Sequence, residues 1–513
     1  MRVLGDIPRL NAKRYPDKIA LRMDGKALTF KQLNSAANRL SRGLAASGVN
    51  PGDKIGILSQ NRLEFAIIVY AAAKCAAILV PINFRYQKNE LVFVVNNSRP
   101  KVLFYENDFA ELVHGAKNEF EGPVRLAAIG ARNQIEEAEM AILMEGQVVS
   151  EPAIDVDPDS PAMIMYTSGT TGFPKGVLYS HASYLSVYTG LAAEGDLSNN
   201  DITLVALPLF HNGGLNALLQ PTLMMGGTAV ILHRGFDPDQ VLDAIDRNRV
   251  TMTMWVPTML AMLVNHPTVT SFDLSTLDKI WYGSSAISPT VLKASRKIFK
   301  SRFYQWYGQT ETGMNSVLRP EDHQTRSQYT GREIFNAELR IVNKKGQNVA
   351  VGEIGEIISA QKPLGMIGYH GMEKESQETI RAGWIYTGDL ARVEENGYFT
   401  VVDRLKDMII SGAENIYPKE IEDVLSSHPA VQEVAVIGIP DDVYGESVCA
   451  IVVPKPDHSL NEEALIDYCT ERLARYKKPK KVEFMENLPK NAAGKVTKNV
   501  LREPFWENWG RDI

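Results

Sequence analysis

The chain has 513 residues, 44% hydrophobic and 23% charged, which fits an ordinary globular protein and excludes collagen-like, mucin-like and broadly disordered chains. Lysine and arginine number 55 against 61 aspartates and glutamates, a net charge of −6, so the chain lacks the basic balance of a nucleic-acid binder. Cys75, Cys449 and Cys469 are far apart and odd in number, which argues against a disulfide framework or a zinc site. From the N-terminus, Met1 to Pro16 has no continuous apolar run, so no signal peptide is expected. Leu33, Ala36, Ala37, Leu40 and Leu44 fall at helical spacing, and Gly48 supplies a stop. Residues 54–58, 78–82 and 102–105 read as strands. The apolar stretch 66–82, interrupted by Lys74 and Pro81, is too short for a membrane span and reads as a buried helix running into a buried strand. A cytoplasmic protein with no integral membrane segment is expected.

Strands alternating with helices imply a layered α/β arrangement. A second α/β stretch spans about 157–292, with strands at 162–166 and 228–232 and a run at 203–208 between them. A strand-rich section covers 331–403. Beyond it the texture changes: a helix at 418–426, strands at 431–439 and 447–453, and a helix at 461–474 form a small α+β unit. The expected fold class is therefore α/β: a large N-terminal domain (1–403) of layered α/β subdomains plus a strand-rich subdomain, and a small mobile C-terminal α+β domain (404–513), with a hinge at 404–407.

The strongest local signal runs from Tyr166 to Gly176. Thr167, Ser168, Gly169, Thr170, Thr171, Gly172 and Lys175 follow directly on a predicted strand. Glycines let successive backbone N–H groups point into an anion-binding nest, hydroxyls add donors, and the lysine adds a mobile charge. This combination suits a polyphosphate, although it is not a Walker A loop.

That segment resembles the phosphate loop of the adenylate-forming superfamily: acyl- and aryl-CoA synthetases, beetle luciferases and peptide-synthetase adenylation domains. Four further motifs occur in the family's order. They are Tyr307, Gly308, Gln309, Thr310 and Glu311; Tyr386, Thr387, Gly388 and Asp389; Asp403, Arg404, Leu405, Lys406 and Asp407; and Pro489 and Lys490 through Gly494 to Lys495. The resemblance covers nearly the whole chain.

The resemblance implies a role for each motif. Glu311 holds Mg²⁺, since a carboxylate beside a triphosphate is repulsive without a cation between them. Thr310 contacts the α-phosphate, Tyr307 stacks on adenine, and Asp389 binds the ribose hydroxyls with help from Arg404. Gly283, Ser284 and Ser285 complete the nucleotide side, where many members have Gly-Ala-Ala-Pro. Lys495, by itself an ordinary solvated lysine, reaches the carboxylate and α-phosphate, where a cation stabilises charge that accumulates in the transition state. Lys406 is the hinge. His211 orients the carboxylate. Asn212, Gly213 and Gly214 line the acyl pocket, the two adjacent glycines implying room for a bulky group, with Trp255, Gly283 and Met314 as further candidates and core packing as the alternative for Trp255. Ser411, Gly412 and Ala413 lie on the CoA side, with Ala413 in place of a frequent glycine.

The implied activity is an ATP-dependent acyl-CoA synthetase that uses ATP, Mg²⁺ and CoA on a small-molecule carboxylic acid. One alternative is a stand-alone adenylation enzyme loading a carrier-protein thiol, and another is a nucleotide binder without turnover. The acid is left open between fatty, aryl, phenylpropenoic and alicyclic classes. A homodimer is the base-rate expectation for assembly.

Overall fold

The computed structural model describes residues 1–130, 140–167, 174–285, 287–411, 414–456, 458, 460–490 and 495–507. Four sheets organise them. A nine-stranded sheet runs, edge to edge, through Arg332–Glu333, Gly313–Leu318, Arg302–Gln309, Lys279–Gly283, Met252–Trp255, Ile202–Val205, Thr228–Ile231, Ile19–Met23 and Lys26–Thr29. A seven-stranded sheet runs through Gly368–Tyr369, Lys175–Ser180, Pro161–Thr167, Ile78–Ile82, Lys54–Leu58, Pro100–Glu106 and Arg125–Ile129. Most neighbours in these two sheets are parallel. Parallel sheets need both faces covered, and helices supply the cover.

The helix Phe30–Ala46 starts where the sequence says it should, because Thr29 and Gln32 form a reciprocal capping box. Its buried face carries Phe30, Leu33, Ala37, Leu40 and Leu44. The helix Leu63–Lys74 is apolar on every side and is buried along almost its whole length. Lys74, at its end, stays charged against Glu151 at 2.5 Å. One large hydrophobic cluster joins these helices to both sheets.

The strand-rich section forms a third sheet from Leu339–Val342, Ile354–Ala360, Trp384–Val393 and Ile380–Arg381, with Phe399–Arg404 paired to Trp384–Val393. A fourth sheet, from Ile409–Ser411 onward, carries its own core of Ile409, Ile416, Ile421, Leu425, Val436 and Val452. One sheet thus ends at Arg404 and the next begins at Ile409.

The expected α/β class holds, with three adjustments. The stretch 157–292 is shared between the two large sheets: its first two strands join the N-terminal strands, and the remainder takes up Ile19–Met23 and Lys26–Thr29. Alternation marks a strand but not its neighbours. Within the run 203–208 the strand is Ile202–Val205, ending before Pro208. The helix expected at 461–474 covers only Glu462–Thr470, with Asn461 as its N-cap.

Candidate active site

The residues expected on the nucleotide side lie where the nine-stranded sheet meets the strand-rich sheet. The strand Arg302–Gln309 reverses into Gly313–Leu318, and the reversal carries Thr310 and Glu311. Thr310 and Glu311 therefore sit in a hairpin turn, with Gly308 paired to Met314. Across from this turn, Asp389 lies within the strand Trp384–Val393, beside a bulge between Leu390 and Ala391. Bulges re-aim side chains, and here three donors converge on one carboxylate. The Tyr307 hydroxyl donates to Asp389 Oδ2 at 2.9 Å, Gln309 Nε2 donates to the same oxygen at 2.7 Å, and Arg404 Nε lies 3.2 Å from Oδ1. Asp389 is 5% exposed. Burial, and then the Asp389 charge, push the Tyr307 phenol well above its ordinary range, so it remains a donor.

Lys175 starts the strand Lys175–Ser180 and pairs with Thr167 across the hairpin. Its ammonium lies 5.2 Å from the ring centroid of Tyr369, whose hydroxyl donates to Glu311 Oε1 at 3.0 Å. Burial pushes the Glu311 carboxyl above the usual range, and its hydrogen bonds only partly oppose that. Among the described residues, no cluster of three or more His, Cys, Asp or Glu makes a protein-only metal site. A single carboxylate that lacks a cationic partner among these residues fits Mg²⁺, which is commonly held by one or two carboxylates plus substrate phosphates. Ser168, Gly169, Thr170, Thr171 and Gly172 lie outside the described residues.

Among the residues expected on the acyl side, His211 and Asn212 lead into a buried π-helix, Gly213–Leu219. π-Helical turns are rare and recur at functional sites. Pro221, just beyond, has no N–H to continue a regular ladder. The Gly213 N–H donates to His211 Nδ1 at 3.2 Å, which leaves the proton of the neutral ring on Nε2. Burial lowers the His211 pKa and favours that neutral form. Asn216 Nδ2 donates to Asn212 Oδ1 at 2.7 Å and is itself held by the Tyr188 hydroxyl at 2.6 Å.

Two acyl-side expectations change. A Cβ on Gly214 would lie 2.4 Å from the Pro208 carbonyl oxygen, so this glycine permits close packing of backbone rather than opening space. Trp255 is fully buried and packs on Phe299 in a core cluster between helices and sheet, 5.3 Å centroid to centroid. It is a packing residue here, not a pocket wall. Gly283 ends its strand with the Trp306 carbonyl 2.3 Å from where a Cβ would stand, followed by exposed Ser284 at φ +70° and exposed Ser285. Met314 is half-buried against the main core.

The C-terminal sheet approaches the same region. Lys495 is exposed, yet its ammonium is pulled down to about 8, by desolvation first and then by Arg404, with Lys406 adding to the repulsion and Asp389 and Asp407 opposing it. Those neighbours place Lys495 beside the Asp389–Arg404 pair. Around Lys406, Asp407 N–H and Met408 N–H both return to the Arg404 carbonyl. Asp403 accepts the Lys419 N–H at 3.0 Å, and Arg502 pairs with Asp407 at 3.0 Å. Ser411 closes the strand Ile409–Ser411 opposite Gly445, while Gly412 and Ala413 lie outside the described residues. Sequence reasoning missed Tyr369, Asn216 and Glu356, whose Oε1 accepts the Gly388 N–H at 3.0 Å.

Comparison with known proteins reaches the whole chain. The family described as AMP-binding enzyme matches residues 9–370, and the AMP-binding enzyme C-terminal domain matches 420–495. A feruloyl-CoA synthase from Amycolatopsis sp is 37% identical over 516 residues, covering 98% of this chain and 99% of that protein. The fatty acid–acyl-carrier-protein ligase ScoC of Streptomyces coeruleorubidus is 35% identical, covering 98% and 96%. Among solved structures, the anthranilate CoA ligase AuaEII in complex with anthranoyl-AMP superposes with a TM-score of 0.91 at 27% identity, covering 98% of this chain and 97% of that one.

Proposed function

This chain belongs to the AMP-binding enzyme family, in its AMP-forming acid–thiol ligase branch, and from that premise we propose that it joins a carboxylic acid to the thiol of CoA at the expense of ATP. In the first half-reaction a carboxylate oxygen attacks the α-phosphorus and pyrophosphate leaves, giving an acyl-adenylate. In the second, the thiolate sulfur attacks the acyl carbon and AMP leaves. No general base is needed in the first step, because a carboxylic acid is already ionised at pH 7.

The convergence of Tyr307, Gln309 and Arg404 on Asp389, with Lys495 beside them, is the observation that carries the reading. Asp389 takes the ribose diol. Lys175 receives charge on the leaving pyrophosphate, and Lys495 steadies charge at the α-phosphorus, where it counts most in the transition state. His211, neutral with its proton on Nε2, donates to the substrate carboxylate and orients it. Thr310 supplies a hydroxyl to the α-phosphate. Glu311 would hold Mg²⁺, which when bound neutralises phosphate charge. Residues 1–403 form the nucleotide- and acyl-binding domain and 404–513 the mobile one. Rotation at Lys406 withdraws Lys495 and brings Ser411 and its neighbours to the thiol.

A second reading, transfer to a carrier-protein thiol, is favoured by the similarity to ScoC. The chemistry is shared until the thiol arrives, so adding free CoA separates the two. Acid-dependent exchange of pyrophosphate into ATP tests the first half-reaction; an exchange-silent protein across fatty, aryl and phenylpropenoic acids would leave only nucleotide binding.

A further inference from the structure

Tyr369 stands between the two charges assigned above to the polyphosphate. It is the second residue of a two-residue strand, Gly368–Tyr369, that pairs antiparallel with Lys175–Ser180 at the edge of the seven-stranded sheet. Its backbone is fixed on both sides. The Tyr369 N–H donates to Ser376 Oγ at 2.8 Å, the His370 N–H to the Gly176 carbonyl at 2.7 Å, and the Ile367 N–H to the Leu178 carbonyl at 2.7 Å. The Met366 N–H donates to the Glu311 carbonyl at 2.9 Å, which ties the same segment to the hairpin turn.

From this anchored position one side chain serves two partners. The hydroxyl donates to Glu311 Oε1 at 3.0 Å, and the Lys175 ammonium lies over the ring at 5.2 Å from its centroid. Among the described residues, Lys175 and Glu311 are held by the tyrosine rather than by each other. A direct ion pair between them would neutralise the charges that a metal–polyphosphate needs. A cation over a ring face is held loosely enough to leave when phosphate arrives. A carboxylate that accepts one hydroxyl hydrogen bond keeps further lone pairs for a metal.

Resting on the roles proposed above for Glu311 and Lys175, we infer that Tyr369 is a positioning residue for the metal–nucleotide complex: its hydroxyl aims the Glu311 carboxylate and its ring parks the Lys175 ammonium, so neither charge is spent on the other. The residue acts through Glu311 and Lys175 and does not touch the reacting atoms.

The test is a double-mutant cycle read by binding rather than turnover. A fluorescent ATP analogue is titrated, with Mg²⁺ and separately with EDTA, into the unaltered chain, Y369F, E311Q and the double variant, all checked for unchanged circular dichroism. Y369F keeps the ring and loses only the hydroxyl. It is expected to weaken Mg²⁺-dependent binding about tenfold in the unaltered background, the low end for a hydrogen bond to a charged group. On the E311Q background the same change is expected to cost less than about twofold, because the partner is already gone. Equal weakening on both backgrounds, or no weakening on the first, overturns the hydroxyl half. Y369L, which also removes the ring, is expected to weaken binding in EDTA as well; unchanged metal-free binding overturns the Lys175 half. An unaltered chain that does not bind the Mg²⁺ complex sinks the proposed function itself, whereas a chain that binds it without the coupling sinks this inference alone.

Discussion

Arg404 faces Asp389 across two adjacent antiparallel strands, with Nε 3.2 Å from Oδ1, and the next residue, Leu405, returns its N–H to the Gly388 carbonyl at 2.7 Å. The group proposed to hold the ribose is therefore joined directly to the segment from which the C-terminal sheet departs. The proposed ribose-binding group and the proposed hinge share one strand pair.

Asp389 satisfies two neutral donors and an arginine in a buried setting. D389A strands the Tyr307 hydroxyl, while Gln309 Nε2 keeps the Thr387 carbonyl at 2.9 Å. The unfolding free energy in urea is expected to fall by about 1–3 kcal/mol on that basis. The rise in melting temperature that ATP gives the unaltered chain is expected to vanish. An ATP-induced rise of unaltered size in D389A would remove Asp389 from the nucleotide site.

In the proposed mechanism Lys495 divides the two half-reactions. K495A is expected to abolish acid-dependent pyrophosphate exchange while leaving CoA transfer from a supplied acyl-adenylate within about threefold, because the transition-state charge it stabilises belongs only to the first step. Loss of both steps in a folded variant contradicts that division.

The same lysine predicts a pH dependence. Its pKa is lowered to about 8, so the ammonium is present below that pH and lost as pH rises through it. The side chain is exposed, and solvent moderates the shift, so the limb is expected at or above pH 8. Adenylation should fall along that limb, and thiolation of supplied acyl-adenylate should not. K495R, charged throughout, should lose the limb even where its rate is low, since arginine stays protonated.

His211 is neutral with Nε2–H as donor, so H211A is expected to raise KM for the acid about tenfold and leave KM for ATP nearly unchanged, as loss of one hydrogen bond to a carboxylate implies. Initial-rate kinetics with each substrate varied in turn checks this; an equal effect on both substrates argues for a structural role.

Gly214 offers a prediction on stability. A methyl group would sit 2.4 Å from the Pro208 carbonyl oxygen, a backbone atom that cannot step aside alone. G214A is expected to cost about 1–3 kcal/mol, as overpacking does. A melting temperature equal to that of the unaltered chain would show that the π-helix shifts to accept it.

Much of this site is legible in the sequence because its key groups come in short motifs. The hairpin carrying Tyr307 to Glu311 and the strand carrying Asp389 are each a few consecutive residues, and their chemistry can be read locally. Tyr369 could not be found that way: its strand is two residues long, too short for any periodicity, and its importance comes from lying beside Lys175, 194 positions away by number, through sheet pairing. Trp255 stays open between pocket and core in the sequence for a related reason. An aromatic residue in a strand looks the same whether it faces a ligand or a neighbouring Phe299, and only packing decides. The division of strands between sheets is not legible, because alternation reveals a strand without revealing its partners.

The most direct measurement is AMP release from ATP and Mg²⁺ across fatty, aryl and phenylpropenoic acids, with and without CoA. The account predicts AMP formation that depends on both an acid and CoA and is strongest within one acid class. Acid-dependent pyrophosphate release indifferent to CoA, or no AMP with any acid, would contradict it.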